Sequence, residues 1–473
     1  MYLWIYAIIG ESNLSIFVDW SIMLRRRITE KLAVWKASSH KALLVTGARQ
    51  IGKSYAIREF GKANYAAYFE VNLLLDKKAR RALEGAENAT DFINRIALLF
   101  PNRLIEHDTL VFVDEIQEYP DIVTIAKALV EDGRYSFAFS GSMLGTEFKG
   151  ISSFPVGYVE QLVMRPMDFE EFCWAVGVEQ RFLDQIRDCL CSHRPVDSYL
   201  HDIMMKNFRA YIVVGGMPEV VRNYIDSGFS LVETRRLQEG LVRQYVQDIG
   251  KYAETRTFEV RAIFDQIPLQ LEYEPRRFVV SSLKEGARLG SYDHDFLWLV
   301  NAGVGLRVVQ TTEARCPLKR TEKASMFKLY ESDTGMLVSR YPQSMARAIY
   351  LDIKDPNLGG VYENVVAQEL VAQEITPWYY QSEGVGEVDF VIEGTRGKAV
   401  PIEVKSGRKV RAHAALDHLL GIPEYKIREA VVFSRNNVQQ EGPILYLPFY
   451  MTFCLGEFTE ASSGDFFLAP AIP

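Results

Sequence analysis

The stretch "LLVTGARQIGKSYAIREF", residues 43–60, decides the fold of the N-terminal part of the chain. Apolar residues predict a buried strand over 42–46, and residues 53–60 predict the helix that follows it. The loop between them, Gly47 to Ser54, matches the pattern G-x-x-x-x-G-K-S in full. The glycines let backbone N–H groups turn inward around phosphate oxygens, and the helix N-terminus favours negative charge. The loop therefore predicts a nucleotide-phosphate site, and its context weighs against a chance glycine-rich loop.

We expect the whole loop to contribute to this site. Its residues are Gly47, Ala48, Arg49, Gln50, Ile51, Gly52, Lys53 and Ser54. Lys53 is placed to reach the β- and γ-phosphates, and the Ser54 hydroxyl to hold Mg²⁺. The predicted cofactors are therefore ATP and Mg²⁺. Arg49 and Gln50 face either the phosphates or a neighbouring element, and the sequence does not decide between these.

A second apolar strand delivers acids to the same site. Leu110 to Val113 precede Asp114 and Glu115, and the carboxyl ends of parallel strands are where ligands bind. We expect Asp114 to steady Mg²⁺ and Glu115 to orient and deprotonate the attacking water. The alternative is that both acids only cap the following helix.

A further strand, "YSFAFSGS" at 135–142, ends in small polar residues. A polar side chain there is placed to sense the γ-phosphate or fix the attacking water, and we favour Ser142 over Ser140 for this catalytic role. An ordinary turn serine is the equal alternative.

Length and composition set the outer limits. A chain of 473 residues predicts two to four domains, and its net charge of -7 argues against a protein that coats nucleic acid with its whole surface. The five cysteines form no CxxC pair and no zinc-ligand spacing. This pattern fits a protein of the reducing cytosol without a zinc site. No apolar run is long enough to span a membrane, so we predict a cytoplasmic protein without membrane partners.

The pattern predicts an α/β protein whose strands alternate with helices in a parallel sheet covered on both faces. Helices then dominate, and short helices followed by a hairpin suggest a winged-helix unit. The predicted parts are an N-terminal extension or misplaced start at 1–22, the nucleotide domain at 23–177, a helical lid-like region at 178–254, a winged-helix-like region at 255–345 and a C-terminal α/β domain at 346–473.

Several motifs, in one order, resemble a prokaryotic family of AAA+-type ATP-binding proteins with a C-terminal domain of unknown function. In the N-terminal half they are "GARQIGKS", "VDEIQ", "SGS" and "RPMDFEEF"; further along they are "GGMPE", "KLYESDTGML", "GEVDF" and "PIEVK". The resemblance implies a P-loop NTPase sheet and an ATP hydrolase. AAA+-type sites often take an arginine from a neighbouring subunit, so a homo-oligomer is a further expectation.

One position departs from the family pattern. Many members carry Gly-Arg before the P-x-x-F segment, whereas this chain has Gly157-Tyr158. If that arginine normally stabilises transition-state charge, Tyr158 does not replace it, and we expect slow turnover. Arg165 is an alternative source that only its position in the sequence recommends.

A second constellation lies near the C-terminus. Asp389 and the pair Glu403 and Lys405 stand on consecutive predicted strands, and Glu403 and Lys405 share a face because they are two residues apart. This arrangement resembles the PD-(D/E)xK pattern of restriction-endonuclease-like nucleases, in which paired carboxylates hold Mg²⁺ beside a lysine. Glu363, on the preceding helix, is a candidate further metal ligand. The alternative is a surface ion pair on a fold that serves only for binding.

Two basic segments are candidates for phosphate contacts. The first, "KSGRKVRAH", holds Lys405, Arg408, Lys409, Arg411 and His413, and the second, "RCPLKRTEK", covers 315–323. Solvated surface charge is the alternative for each. Together the motifs favour an ATPase whose nucleotide state controls a DNA-engaging, nuclease-like C-terminal half. The alternative is a nucleotide-dependent switch or scaffold that binds protein partners through an inactive nuclease fold.

Overall fold

The computed structural model describes residues 24–86, 88–100, 104–119, 121–142, 157–353, 358–407 and 410–459. The predicted extension at 1–22 and the basic residues Arg408 and Lys409 lie outside the described residues. No described helix is long and apolar enough to cross a membrane.

A parallel sheet forms the N-terminal unit, as the alternating pattern predicts. Its strands are β1 (Ala42–Gly47), β2 (Ala67–Asn72), β3 (Thr109–Asp114), β4 (Ser136–Ser142) and β5 (Val159–Val163). Their spatial order is β2-β3-β4-β1-β5, and every pair is parallel. Two separate apolar clusters cover the sheet, which is why β1 and β3 are buried along their whole length.

Helices flank this sheet and connect it to the rest of the chain. They are α1 (Ile28–Ser38), α2 (Lys53–Asn64), α3 (Lys77–Glu84), α4 (Ala89–Leu99), α5 (Ile122–Asp132) and α6 (Phe169–Ala175). The middle of the chain is helical, as expected. It contains α7 (Gln180–Cys191), α8 (Ser198–Val214), α9 (Pro218–Asp226), α10 (Leu231–Tyr252), α11 (Thr257–Glu272) and α12 (Asp293–Asn301).

The C-terminal part is built on one mixed sheet of eight described strands. These are β6 (Gly305–Thr311), β7 (Glu322–Glu331), β8 (Trp378–Ser382), β9 (Gly386–Gly394), β10 (Lys398–Val404), β11 (Ala430–Ser434), β12 (Gln439–Glu441) and β13 (Ile444–Pro448). They run in the order β12-β13-β11-β10-β9-β8-β6-β7. The associated helices are α13 (Thr334–Ser339), α14 (Gln343–Tyr350), α15 (Gly359–Ala372) and α16 (Ala414–Leu420).

The structure differs from the expected winged-helix unit in one respect. The hairpin of β6 and β7 follows short helices, as predicted, but β6 also pairs in parallel with β8. The hairpin is therefore the edge of the C-terminal sheet rather than a separate wing, and the boundary expected at residue 345 falls inside one sheet. A pairing between strands so far apart along the chain leaves no local signal in the sequence.

One buried contact network joins the N-terminal unit to the C-terminal part. The Asp168 side chain accepts a hydrogen bond from Glu171 N at 2.8 Å and caps α6. Glu171 in turn pairs with the buried Arg26 at 3.0 Å. From α15, the Glu369 Oε1 atom accepts from Phe169 N at 2.9 Å and from the Tyr211 hydroxyl at 2.8 Å. The "RPMDFEEF" motif therefore anchors the N-terminal unit to the rest of the molecule.

Glu369 brings a buried carboxylate into this network. Its side chain is fully buried, and its second oxygen has no hydrogen-bond partner. Burial raises the pKa of Glu369 well above its ordinary value, and the nearby Asp168 raises it further. Because the pKa is raised in the folded state, the stability contributed by Glu369 is present at low pH and is lost as pH rises.

We predict that Glu369→Gln becomes increasingly favourable as pH rises from 5 to 8. The amide keeps an oxygen acceptor for Phe169 and Tyr211 but removes the buried charge, and each unit of pKa shift is worth about 1.4 kcal/mol. Melting temperatures across this range should show the variant gaining several degrees relative to the native chain. Glu383→Gln, at an exposed position, is the control and should show no pH-dependent difference. A pH-independent effect of Glu369→Gln would contradict the assignment.

Candidate nucleotide site and C-terminal charge cluster

The phosphate loop connects β1 to α2, as predicted. Gly52 precedes the helix with a φ of 88°, a left-handed conformation that glycine adopts without strain. Lys53 is buried, and its Nζ atom donates to the carbonyl oxygens of Gly47 and Ala48 at 3.1 and 2.7 Å. Burial lowers the pKa of Lys53 to about 8, although Glu115 and Asp114 act in the opposite direction. The ammonium is therefore held over the loop by neutral partners.

Asp114 is the centre of the polar contacts beside this loop. Its Oδ2 atom accepts from the Ser54 hydroxyl at 2.8 Å and from the Asn72 amide at 3.0 Å. Its Oδ1 atom accepts from the Ser140 hydroxyl and from Glu115 N, the latter at 3.1 Å. A hydroxyl and a carboxylate side by side are the donor set that Mg²⁺ takes in phosphoryl-transfer sites, so these residues fit that ion.

Two members of this arrangement are absent from the sequence-based assignment. Ser140 contacts Asp114 because β4 lies between β1 and β3. Asn72 ends β2, the neighbour of β3, and lies opposite Asp114 in register. Ser142, which the sequence favours, pairs with Gly47 through the strand register, and its side chain lies outside the described residues. The signal that identifies Asn72 is its position as a polar residue at the carboxyl end of a strand, like Asp114 on β3.

Glu115 leaves β3 in a left-handed backbone conformation with a φ of 57°. For a non-glycine residue this conformation is uncommon and often accompanies a functional constraint. Its carboxylate accepts a hydrogen bond from the Gln117 amide and is among the charges that act on Lys53. The predicted catalytic base thus lies near the phosphate loop and is oriented by a side chain two residues away.

Arg49 and Gln50 face a neighbouring element. Arg49 forms an ion pair with Asp248, and the Gln50 amide donates to Gln244. The Tyr245 hydroxyl also donates to the Arg49 carbonyl oxygen at 3.1 Å. All three contacts come from α10, so this long helix lies directly against the phosphate loop.

A cavity of about 310 Å³ opens beside the loop and along α2. Its lining includes Leu24, Arg26, Gly52, Tyr55, Ala56, Pro218 and Arg222. The volume is within the range of small-molecule sites, and the walls are mostly apolar with a few polar groups. Pro218 belongs to the "GGMPE" motif, which therefore forms one wall of this cavity.

Tyr158 lies away from the phosphate loop. Its carbonyl oxygen accepts from Ala42 N, at the start of β1, whereas the loop follows Gly47 at the other end. At about 3.3 Å per residue these ends are roughly 16 Å apart. A charge at position 158 is thus remote from the phosphates of the same chain. Arg165 lies closer, in a narrow cleft that Ala48 also lines, and burial lowers its pKa.

The structure brings the predicted C-terminal residues together. Lys405 pairs with the Glu403 carboxylate at 2.6 Å, and the Asp389 Oδ2 atom accepts from Val404 N at 2.8 Å. Glu363 is buried, and its carboxylate lies near enough to Asp389 to raise the pKa of that acid.

Further charges surround these four residues. Lys328 is fully buried and contacts the carboxylates of Glu363, Glu387 and Asp389. Arg276 pairs with Glu363 at 2.6 Å. We name this set the C-terminal charge cluster: Arg276, Lys328, Glu363, Glu387, Asp389, Glu403 and Lys405.

The "KLYESDTGML" segment supplies Lys328 and a further contact from Tyr330, neither of which the sequence-based site includes. Lys328 and Tyr330 are two apart on β7 and both reach Glu363, the Tyr330 hydroxyl at 2.8 Å. Burial lowers the pKa of Lys328, but Glu363 and the other acids outweigh it and raise the pKa well above its ordinary value. Burial likewise raises the pKa of Asp389 well above its ordinary value, and Glu363 and Glu403 raise it further. Among the described residues, no three His, Cys, Asp or Glu side chains are grouped to hold a metal ion.

Comparison with known families assigns the parts of the chain. Residues 39–173 match the model of an AAA domain. Residues 205–345 match a domain of unknown function, DUF8612, and residues 358–450 match a second one, DUF4143. No curated protein matches the chain.

Solved structures are similar at low identity. The Walker-type ATPase of Pyrococcus abyssi is 12% identical, with 67% of this chain and 96% of that chain covered and a TM-score of 0.43. Domain III of the Thermotoga maritima replication initiation protein DnaA is 12% identical over 46% of this chain and 94% of that chain, with a TM-score of 0.26. Cdc6p from Pyrobaculum aerophilum is 11% identical over 70% and 94%, with a TM-score of 0.26.

The family match and the parallel sheet with its phosphate loop agree. Residues 39–173 match the AAA domain model and form a parallel sheet of the P-loop NTPase type, and matches to two domains of unknown function follow.

Proposed function

We propose that this domain binds ATP with Mg²⁺ and hydrolyses it, with Lys53 on the phosphates and Ser54 and Asp114 holding the metal. The observation that carries this proposal is the convergence of Lys53, Ser54 and Asp114 at the N-terminus of α2. Bound Mg²⁺ would neutralise charge on the phosphate oxygens. Glu115 orients and deprotonates the attacking water, and Ser140 and Asn72 hold Asp114 in place.

The cavity along α2 is the proposed site of the base and ribose. The cavity begins at Gly52, the last glycine of the phosphate loop. Its mostly apolar walls suit a flat heterocycle. Arg222 lies on its wall, and its ion pair with Asp226 at 2.8 Å is solvent-exposed. Because of this position, Arg222 is the arginine we propose to turn toward the phosphates and supply the charge that Tyr158 lacks.

The nucleotide state is proposed to act on the C-terminal half through two contacts. The first is α10, which holds Arg49 and Gln50 of the loop. The second is the turn before Pro218, where Gly216 N donates to Asp333 at 2.6 Å. Binding or release of phosphate at the loop would alter both contacts. Assembly into a homo-oligomer is a further proposal that these contacts do not require.

DNA is the proposed partner of the C-terminal half. Val410 of the first basic segment and Leu318 of the second pack in the same apolar cluster, so these two residues lie on one side of the C-terminal sheet. Arg315, Lys319 and Lys323 are exposed there and are accessible to phosphates.

The second candidate function is a nucleotide-dependent scaffold for protein partners. One observation favours it: the buried ammonium of Lys328 already pairs with the acids expected to hold the nuclease metal. In this case the C-terminal fold serves for binding alone.

The hydrolytic assignment predicts a clear separation of two variants. Glu115→Gln should bind ATP with native affinity and lose turnover by about 10²–10⁴-fold, since it removes only the general base. Lys53→Ala should lose ATP binding itself. The matched control is Glu118→Gln, three residues after Glu115, which breaks an ion pair with Arg80 and should leave turnover unchanged. Calorimetry and phosphate release measure both properties, and native turnover in Glu115→Gln would overturn the role of this residue.

The lowered pKa of Lys53 predicts that ATP affinity depends on pH. The ammonium is needed to bind phosphate, and in the free protein it loses its proton near pH 8. Above that pH, binding must take up a proton, so affinity should fall by up to about tenfold per pH unit between 8 and 9.5. Lys53→Arg remains charged throughout and should show a flat, if weaker, profile. Equal native affinities at pH 7.5 and 9.5 would contradict this assignment.

Salt dependence separates the two candidate partners. If DNA binds along the basic segments, its affinity should fall steeply with salt, and Lys319→Gln with Lys323→Gln should reduce the slope by about one for each phosphate that is no longer neutralised. Lys36→Gln, with an exposed lysine on α1, is the control. Absence of DNA binding at low salt, with or without ATP, would leave the scaffold function.

A further inference from the structure

The C-terminal charge cluster contains a cation of its own at its centre. The Lys328 Nζ atom lies 2.7 Å from the Glu387 carboxylate, 3.4 Å from Glu363 and 3.9 Å from Asp389. The side chain of Lys328 has no exposed surface. An ammonium buried to this degree is stable only when it is paired, so its three carboxylates form one unit with it.

Other donors bind further carboxylate oxygens of the cluster. Glu363 accepts from Arg276 at 2.6 Å on one oxygen and from Tyr330 at 2.8 Å on the other. Asp389 accepts from the backbone N–H of Val404, and Lys405 holds one oxygen of Glu403.

This arrangement competes with a divalent cation. Mg²⁺ and Ca²⁺ take about six to eight oxygen ligands at roughly 2.0–2.6 Å. The buried carboxylate oxygens of the cluster without a hydrogen-bond partner are one from Glu387 and one from Glu403. A metal bound to Glu363 and Asp389 would have to displace the Lys328 ammonium from between them.

Four carboxylates face three cations in the cluster, so its charge is nearly balanced. A divalent cation added to this set would leave excess positive charge in a buried region, which is costly. The residues therefore do not fit the Mg²⁺ that the nuclease-like pattern Asp389, Glu403, Lys405 leads one to expect.

We propose that Lys328 is the resident cation of the C-terminal charge cluster and stands in the place of a divalent metal. The cluster accordingly holds β7, β9, β10 and α15 together without metal and does not support metal-dependent cleavage of a phosphodiester. This proposal does not depend on ATP hydrolysis, because no member of the cluster belongs to the nucleotide site.

Metal binding to the full-length chain tests the proposal. Asp114→Asn serves as the parent, because it weakens metal binding at the nucleotide site, and Mn²⁺ is the probe, followed by electron paramagnetic resonance and by melting temperature. The parent should bind no Mn²⁺ that depends on the cluster. Adding Asp389→Asn should therefore change neither the amount of Mn²⁺ bound nor the shift in melting temperature that Mn²⁺ causes. A saturable Mn²⁺ site in the parent that Asp389→Asn or Glu403→Gln removes would overturn the proposal.

Removal of the ammonium gives the complementary result. Lys328→Met keeps the length and apolar stem of the side chain but leaves the acids unpaired, so its melting temperature should fall by several degrees. Mn²⁺ should then restore part of this loss, and adding Asp389→Asn should abolish the restoration. Lys323→Met, an exposed lysine on the same strand, is the matched control. A folded Lys328→Met that gains no Mn²⁺ site would show that Lys328 does not occupy a metal position; if this variant fails to fold, Mn²⁺ binding by the parent decides.

Discussion

The close approach at Gly216 is the constraint on which the arrangement of the molecule depends. Its N–H donates to Asp333 at 2.6 Å, and its carbonyl oxygen accepts from Met167 N at 2.7 Å. A Cβ atom here would lie 2.0 Å from the Met167 oxygen, so any side chain would push the two segments apart. One residue thereby joins the end of the nucleotide unit, the helical middle and the start of α13. The next residues lead to Pro218, on the wall of the cavity beside the phosphate loop.

The same turn connects the two charged regions of the protein. Asp333 binds Gly216, whereas Lys328 and Tyr330, a few residues earlier on the same chain segment, bind Glu363 in the C-terminal charge cluster. This segment is short and its ends are fixed by buried polar contacts. We therefore expect a shift of the turn to move the segment as a whole and to alter the contacts of Lys328 and Tyr330 in the cluster.

Local patterns were sufficient to predict the nucleotide unit. The predicted strands at 42–46 and 109–115 are observed as β1 and β3, because apolar runs and a complete phosphate-loop motif are signals contained within a few residues. The position of Ser140 beside Asp114 was not predictable, since it follows from the spatial order of strands. The same reason applies to the hairpin of β6 and β7, whose partner β8 lies far along the chain, and to Lys328, whose three acidic partners come from α15 and β9.

The two buried lysines, Lys53 and Lys328, differ in whether their partners carry negative charge. Lys53 is held by the neutral carbonyl groups of Gly47 and Ala48, so its charge is poorly compensated, and burial lowers its pKa to about 8. An incoming phosphate would supply the missing negative charge, so its binding beside Lys53 would be favourable. Lys328 already has its carboxylates, so a further ion gains little by approaching it. A buried ammonium suits a ligand where the protein leaves its charge without a counter-charge, as at Lys53. It is a fixed part of the fold where the protein itself provides the counter-charge, as at Lys328.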